Sequence, residues 1–194
     1  MEIGVRAGVP FTTPLESTLT GPAATYSSEA FERSNYSVGP TVAAVIHNRF
    51  SLTFDSLYKP VHFTSSFAGN STTTVRGSSW EFPLIANYHF LNAPVRPYGG
   101  GGVLLGQKLS GRSETRTTDI TTGAVTTRTD AFRTFWDQLP AYIINGGIEW
   151  RVSHFLLRPE LRYTHWSRVS QPELAVRRQN QFEFLIGFFA SSGQ

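Results

Sequence analysis

His165, Trp166 and Ser167 follow one another near the end of a strand-like segment. On a strand, residues two apart share a face, so His165 and Ser167 point the same way. A histidine so placed can act as general base for a serine attacking an acyl ester, with a carboxylate such as Glu173 orienting the ring. Ser167 also sits where the strand gives way to a loop. The plainer expectation is therefore an interfacial histidine, a loop-starting serine and no catalytic residue.

The other histidines, His47, His62, His89 and His154, are dispersed, with no pair at ligand spacing on one strand face. No metal site and no cofactor are expected from them. Cysteine is absent, which removes thiolate ligands, disulfides and a cysteine nucleophile. The glycines at 99–102 lack the Lys-Ser or Lys-Thr that would follow in a phosphate loop. They lie within a strand pattern, where they relieve crowding, bend the strand or let a neighbour's aromatic ring lie across it.

The densest chemistry is ionic. Arg158, Glu160 and Arg162 alternate with apolar residues, and Arg6, Asp55, Glu81, Arg96, Glu149 and Glu183 do the same elsewhere. The signs nearly balance. Opposite charges packed together offset one another's desolvation, so this set is expected as an ionic plug inside a closed structure. The expected interior network comprises Arg6, Glu81, Arg96, Glu149, Arg158, Glu160, Arg162 and Glu183.

The elements that position these charges are strands. Phe182, Phe184, Ile186 and Phe188 share one face of the last, and Gln181, Glu183, Leu185 and Gly187 the other. Its partner carries Phe155, Leu157, Pro159, Leu161 and Tyr163 opposite Arg158, Glu160, Arg162 and Thr164. Similar alternation marks 2–9, 36–46, 49–58, 80–90, 95–109 and 141–150, making about eight strands. Turns near 47, 93 and 152 are tight, while the segments 10–35, 60–79, 110–135 and 167–179 read as long polar loops. Within the third, threonine-rich stretches around Gly123 suggest a hairpin projecting from the body.

Composition supports this. Aromatic content is 13%, charged content 16% and net charge +3, with two lysines, Lys59 and Lys108, against fifteen arginines. The basic residues are interleaved with carboxylates rather than striped, which argues against nucleic-acid binding. No run of eighteen apolar residues exists, so membrane crossing would require a barrel. Aromatics gather near both strand ends, and Trp80, Trp136, Trp150, Phe155 and Trp166 are expected at the membrane interfaces. The pattern predicts an all-β, eight-stranded antiparallel up-and-down transmembrane β-barrel, one domain over 1–194, with short periplasmic turns and long extracellular loops. A soluble lipocalin-like barrel with an apolar interior is the alternative, and the balanced polar face speaks against it. Met1 is read as a start placed before a mature sequence whose secretory signal has been removed.

Several segments carry a family resemblance: Gly4-Val-Arg-Ala-Gly8-Val-Pro, Tyr36-Ser-Val-Gly-Pro40, Arg96-Pro-Tyr-Gly-Gly100, Arg158-Pro-Glu-Leu-Arg162-Tyr and Gln181-Phe-Glu-Phe-Leu-Ile-Gly187. In order and spacing they resemble the porin-like outer-membrane β-barrel domain family, related to small OmpA- and OmpX-type barrels. The resemblance implies residence in the bacterial outer membrane and assembly there through a C-terminal strand rich in aromatics. The expected partners are outer-membrane lipids, lipopolysaccharide and the outer-membrane assembly machinery, and the expected state is a monomer. It carries no catalytic residues. Many such barrels end on an aromatic, whereas here Phe189 is followed by Ala190 and Ser-Ser-Gly-Gln. The His-x-Ser of 165–167 separately resembles the signature of outer-membrane lipid A deacylase, but the Asn-Ala that follow there are Arg168-Val169 here.

Overall fold

The computed structural model describes residues 1–12, 15–16, 28–32, 36–47, 49–67, 70–136, 141–152, 154–167, 176–177 and 179–191. Thirteen strands occur among them: β1 Glu2–Pro10, β2 Leu15–Glu16, β3 Ser28–Glu32, β4 Ser37–His47, β5 Phe50–Asp55, β6 Leu57–Phe67, β7 Ser71–His89, β8 Val95–Thr118, β9 Val125–Trp136, β10 Ala141–Val152, β11 Phe155–Trp166, β12 Val176–Arg177 and β13 Asn180–Ser191.

Antiparallel ladders close these strands into a ring. β1 pairs with β4 on one side and with β13 on the other, joining the first spanning strand to the last. From β13 the ring runs through β11, β10, β8, β7 and β5 back to β4. β5 and β6 form one stave interrupted at Ser56, and both pair with β4 and β7. β10 pairs with the lower part of β8 and β9 with its upper part. The result is a closed, eight-stave antiparallel barrel.

Period-two alternation decides which side faces inward. On β1, Ile3 and Val5 are 58% and 54% exposed, while Glu2 and Arg6 are 5% and 1% exposed. The arrangement inverts that of a soluble barrel: apolar side chains cover the outside and polar ones fill the inside. Apolar residues enter the lumen too: Leu57, Ile85, Ile143 and Leu185 are buried among the polar ones, and two clusters lie toward the ends. Ala43, Leu156 and Phe189 cluster near the tight turns, and Leu104, Ala141 and Trp166 near the long hairpins.

Two segments read as loops from the sequence are largely strand. β6 and β7 pair continuously from Leu57↔Glu81 to Phe67↔Ser71, and β7 pairs with β8 out to Ser71↔Thr117. β8 and β9 continue to Thr118↔Val125. Threonine, serine and valine sustain these ladders well, but with polar residues on both faces no hydrophobic alternation announces them. The hairpin expected around Gly123 is present. Gly123 has φ 70°, a left-handed conformation suited to glycine. Asp119 Oδ1 accepts the amides of Thr121 and Thr122 at 2.8 and 2.9 Å, fixing the tip. The segments 10–35 and 167–179 lie mostly outside the described residues; within them β2 pairs with β12 and β3 with β6.

Candidate functional site

Inward-facing positions of the staves converge on three ionic groups stacked along the lumen. Nearest the tight turns, Arg158 of β11 reaches Glu2 of β1 at 2.5 Å and Glu149 of β10 at 2.5 Å. Arg96 of β8 takes the other oxygen of Glu149 at 2.6 Å. The Arg158 guanidinium lies 4.4 Å from the centre of the Phe189 ring, a cation–π contact that seats the group on the apolar cluster beneath it.

At mid-height Arg6 and Arg162 face two carboxylates. Arg6 is 3.1 Å from both Asp55 and Glu160, and Arg162 is 2.7 Å from Asp55 and 2.9 Å from Glu160. Thr41 donates its hydroxyl to Asp55 at 2.6 Å, and Tyr98 donates to Glu160 at 3.0 Å. Toward the long hairpins, Lys59 sits between Glu81 at 2.7 Å and Glu183 at 2.6 Å. Gln107 donates to Glu81 and to Ser79 beside it. An amide chain runs along the wall: Asn145 donates to Asn87, and Asn87 to Thr53.

These contacts engage five cations and six carboxylates, nearly all buried. Many join staves that share no ladder, such as β1 with β11, β5 with β11 and β6 with β13. They are cross-lumen spokes. Desolvating one such charge is expensive, so the set holds only because each member meets an opposite charge. Glycines make the room. A Cβ at Gly100 would lie 2.4 Å from Asn87 Oδ1, and one at Gly147 would lie 2.9 Å from the Tyr98 ring. The glycines thus admit the side chains that fill the lumen.

All eight residues expected in the interior network, Arg6, Glu81, Arg96, Glu149, Arg158, Glu160, Arg162 and Glu183, face the lumen and take part in it. Glu2 and Lys59 join them without having been expected, and Asp55, which the alternation places on the ionic face, belongs to the network as well. Their signal was parity: Glu2 shares a face with Arg6, and Lys59 continues the inward row of Asp55 and Leu57.

The aromatics divide. Trp150 and Phe155 are 51% and 48% exposed on the outer wall by the tight turns, where Phe155 stacks on Phe188 at 5.1 Å. Trp80 faces outward near the hairpins, 5.5 Å from Tyr58, which in turn meets Tyr36. The backbone of Trp136 pairs with Gln107, and its side chain lies outside the described residues. Trp166 corrects the expectation. It is 1% exposed and packs inside the barrel with Leu104 and Ala141. It continues the inward row of Arg162 and Thr164, and proximity to a strand end had obscured that parity.

His165 faces outward beside Trp166. Its Nδ1 is 2.9 Å from Asn180 Oδ1, and Tyr163 donates to the same oxygen at 2.7 Å. An amide oxygen therefore orients the ring where the sequence offered a carboxylate; Glu173 lies outside the described residues. Among the described residues no cluster of His, Cys, Asp and Glu is arranged to hold a metal ion.

Fold and site together define a class: a closed β-barrel, apolar where lipid would touch it and ionic within. No helix among the described residues is long and apolar enough to cross a membrane, and the strands carry the apolar belt instead. The chain belongs to the outer membrane protein beta-barrel domain family, whose model matches residues 1–165. No curated protein matches it in sequence. Among solved structures it is similar to the outer membrane protein OprG from Pseudomonas aeruginosa, with 12% identity, TM-score 0.53 and coverage of 97% of this chain and 92% of that one. It is also similar to Neisserial surface protein A, with 12% identity, TM-score 0.49 and coverage of 98% and 96%. At such identities the likeness concerns the fold.

Proposed function

We propose that this protein is a monomeric, non-enzymatic resident of the bacterial outer membrane, a closed barrel that holds projecting hairpins at the cell surface. One observation carries the reading: the lumen is crossed at three heights by ion pairs, Glu2 with Arg158, Asp55 with Arg162 and Lys59 with Glu183. A barrel of eight strands has room inside for little beyond its own side chains. The network fills that room and ties opposite walls together. Closure also leaves no unpaired edge along the spanning staves for a second copy to join. The hairpins β6–β7 and β8–β9 then form the part available to partners.

The chain refolded in detergent and reconstituted into planar lipid bilayers tests the plug. The reading predicts no stable stepwise conductance from wild type, and steps from a variant in which Arg6, Arg162, Asp55 and Glu160 are all replaced by alanine. Steady channels from folded wild type would overturn it.

A further inference from the structure

The outer surface changes character at Trp80. Below it on β7 the outward residues are Phe82, Leu84, Ala86 and Tyr88; above it they are Ser78, Arg76 and Thr74. That change places the membrane boundary at Trp80. Lys108 pairs with Trp80 and so stands at the same height. One rung farther out Ser110 pairs with Arg133, and one rung beyond that Arg76 pairs directly with Arg112. Arg76 lies four residues beyond Trp80, about 13 Å along the strand at roughly 3.3 Å per residue, and less along the membrane normal because barrel strands tilt.

Arg76, Arg112 and Arg133 are exposed, and no ion pair among the described residues engages them. Like charges directly opposite on a sheet repel. Beside these arginines lies an open concavity of about 760 Å³ lined by Arg76, Arg112, Ser110 and Thr129, with Glu114 the one carboxylate in its lining among the described residues. Guanidinium forks and hydroxyl donors, just outside an aromatic girdle, suit anions fixed at the lipid surface.

We propose that Lys108, Arg76, Arg112 and Arg133 form a binding face for the phosphate groups of lipopolysaccharide in the surrounding outer leaflet. The proposal rests on the outer-membrane reading of the barrel and is independent of the plug. An anion from the leaflet would relieve the Arg76–Arg112 repulsion and fix the projecting sheet against the surface.

The test uses the full chain, folded in zwitterionic micelles and immobilised. Binding is measured for purified lipopolysaccharide, for the same material after enzymatic dephosphorylation, and for inorganic phosphate. The triple variant R76Q/R112Q/R133Q and the single variant R112Q are compared with wild type, each first shown to keep a boiling-sensitive gel shift. The proposal predicts at least tenfold weaker lipopolysaccharide binding by the triple variant, a severalfold loss for R112Q, and at least tenfold weaker binding of the dephosphorylated lipid. Equal binding by the folded variants, or indifference to dephosphorylation, overturns it. Inorganic phosphate binding as well as the lipid would overturn the assignment to the leaflet. A folded barrel that ignores lipopolysaccharide would remove this face and leave the barrel reading standing.

Discussion

Asp55 on β5 and Arg162 on β11 meet at 2.7 Å across the lumen, although their strands share no ladder. Asp55 also meets Arg6 and accepts a hydroxyl hydrogen bond from Thr41. Both carboxylate oxygens are therefore engaged, and Asp55 is fully buried. Removing it leaves two arginines sharing Glu160.

Asp55→Ala should accordingly cost about 3–5 kcal/mol, the usual penalty for orphaning a buried charge. Urea unfolding in detergent micelles measures it. Adding Arg162→Met to Asp55→Ala should recover part of the loss, because fewer cations are then left without a partner. A cost below about 1 kcal/mol for the single variant would show that water reaches the site and that the lumen is not plugged.

The glycines offer a paired test. A side chain at Gly147 would meet the Pro159 carbonyl oxygen and the Tyr98 ring, whereas at Gly146 the nearest atom to a new Cβ is 3.8 Å away. Gly147→Val should displace Tyr98 from Glu160 and destabilise the barrel by a few kcal/mol, as overpacking does. Gly146→Ala should stay within about 0.5 kcal/mol of wild type. Equal effects would mean that the space over Gly147 is not filled by Tyr98 and the Pro159 carbonyl.

Trp150 and Trp166 should respond differently to lipid. In single-tryptophan variants, brominated acyl chains should quench Trp150 strongly and Trp166 weakly, because one lies on the outer wall and the other inside. Strong quenching of Trp166 would return it to the interface.

The hairpin tip carries a pH dependence. Two backbone amides donate to the Asp119 carboxylate and hold its pKa below the ordinary aspartate value. A depressed folded-state pKa contributes stability that is present above the unfolded value, about 3.9, and is lost as pH falls through the folded value. The protection of the Thr121 and Thr122 amides, taken as exchange relative to the intrinsic rate at each pH, should hold at neutral pH and fall as the solution is acidified below about pH 4. Asp119→Asn should flatten that profile. A profile unchanged by the substitution would refute the cap.

How much of this could be read from the residues varied with the physics of each part. The spanning strands were legible because one face met lipid and the other a polar lumen, as in Phe182 to Phe188 against Gln181 to Gly187. The upper halves of β6 to β9 were not, because water bathes both faces and a polar run such as Ser71 to Thr74 needs no alternation there. Within the site, Arg158, Glu160 and Arg162 stood out as a dense row. Lys59 stands between the strand read at 49–58 and the loop read at 60–79. The β-bulge between Glu81 and Pro83 against β8 shifts parity along β8, so Leu104 and Gln107 both face inward. Trp166 was misplaced by its nearness to a strand end, although its even number in β11 matched Arg162.

The most direct measurement is migration on a denaturing gel, with and without boiling, of the chain refolded in detergent micelles and separately in plain buffer. A lipid-facing barrel predicts a shifted, boiling-sensitive band that forms only with detergent. A chain that is soluble and folded in buffer alone would contradict an apolar exterior around an ionic lumen.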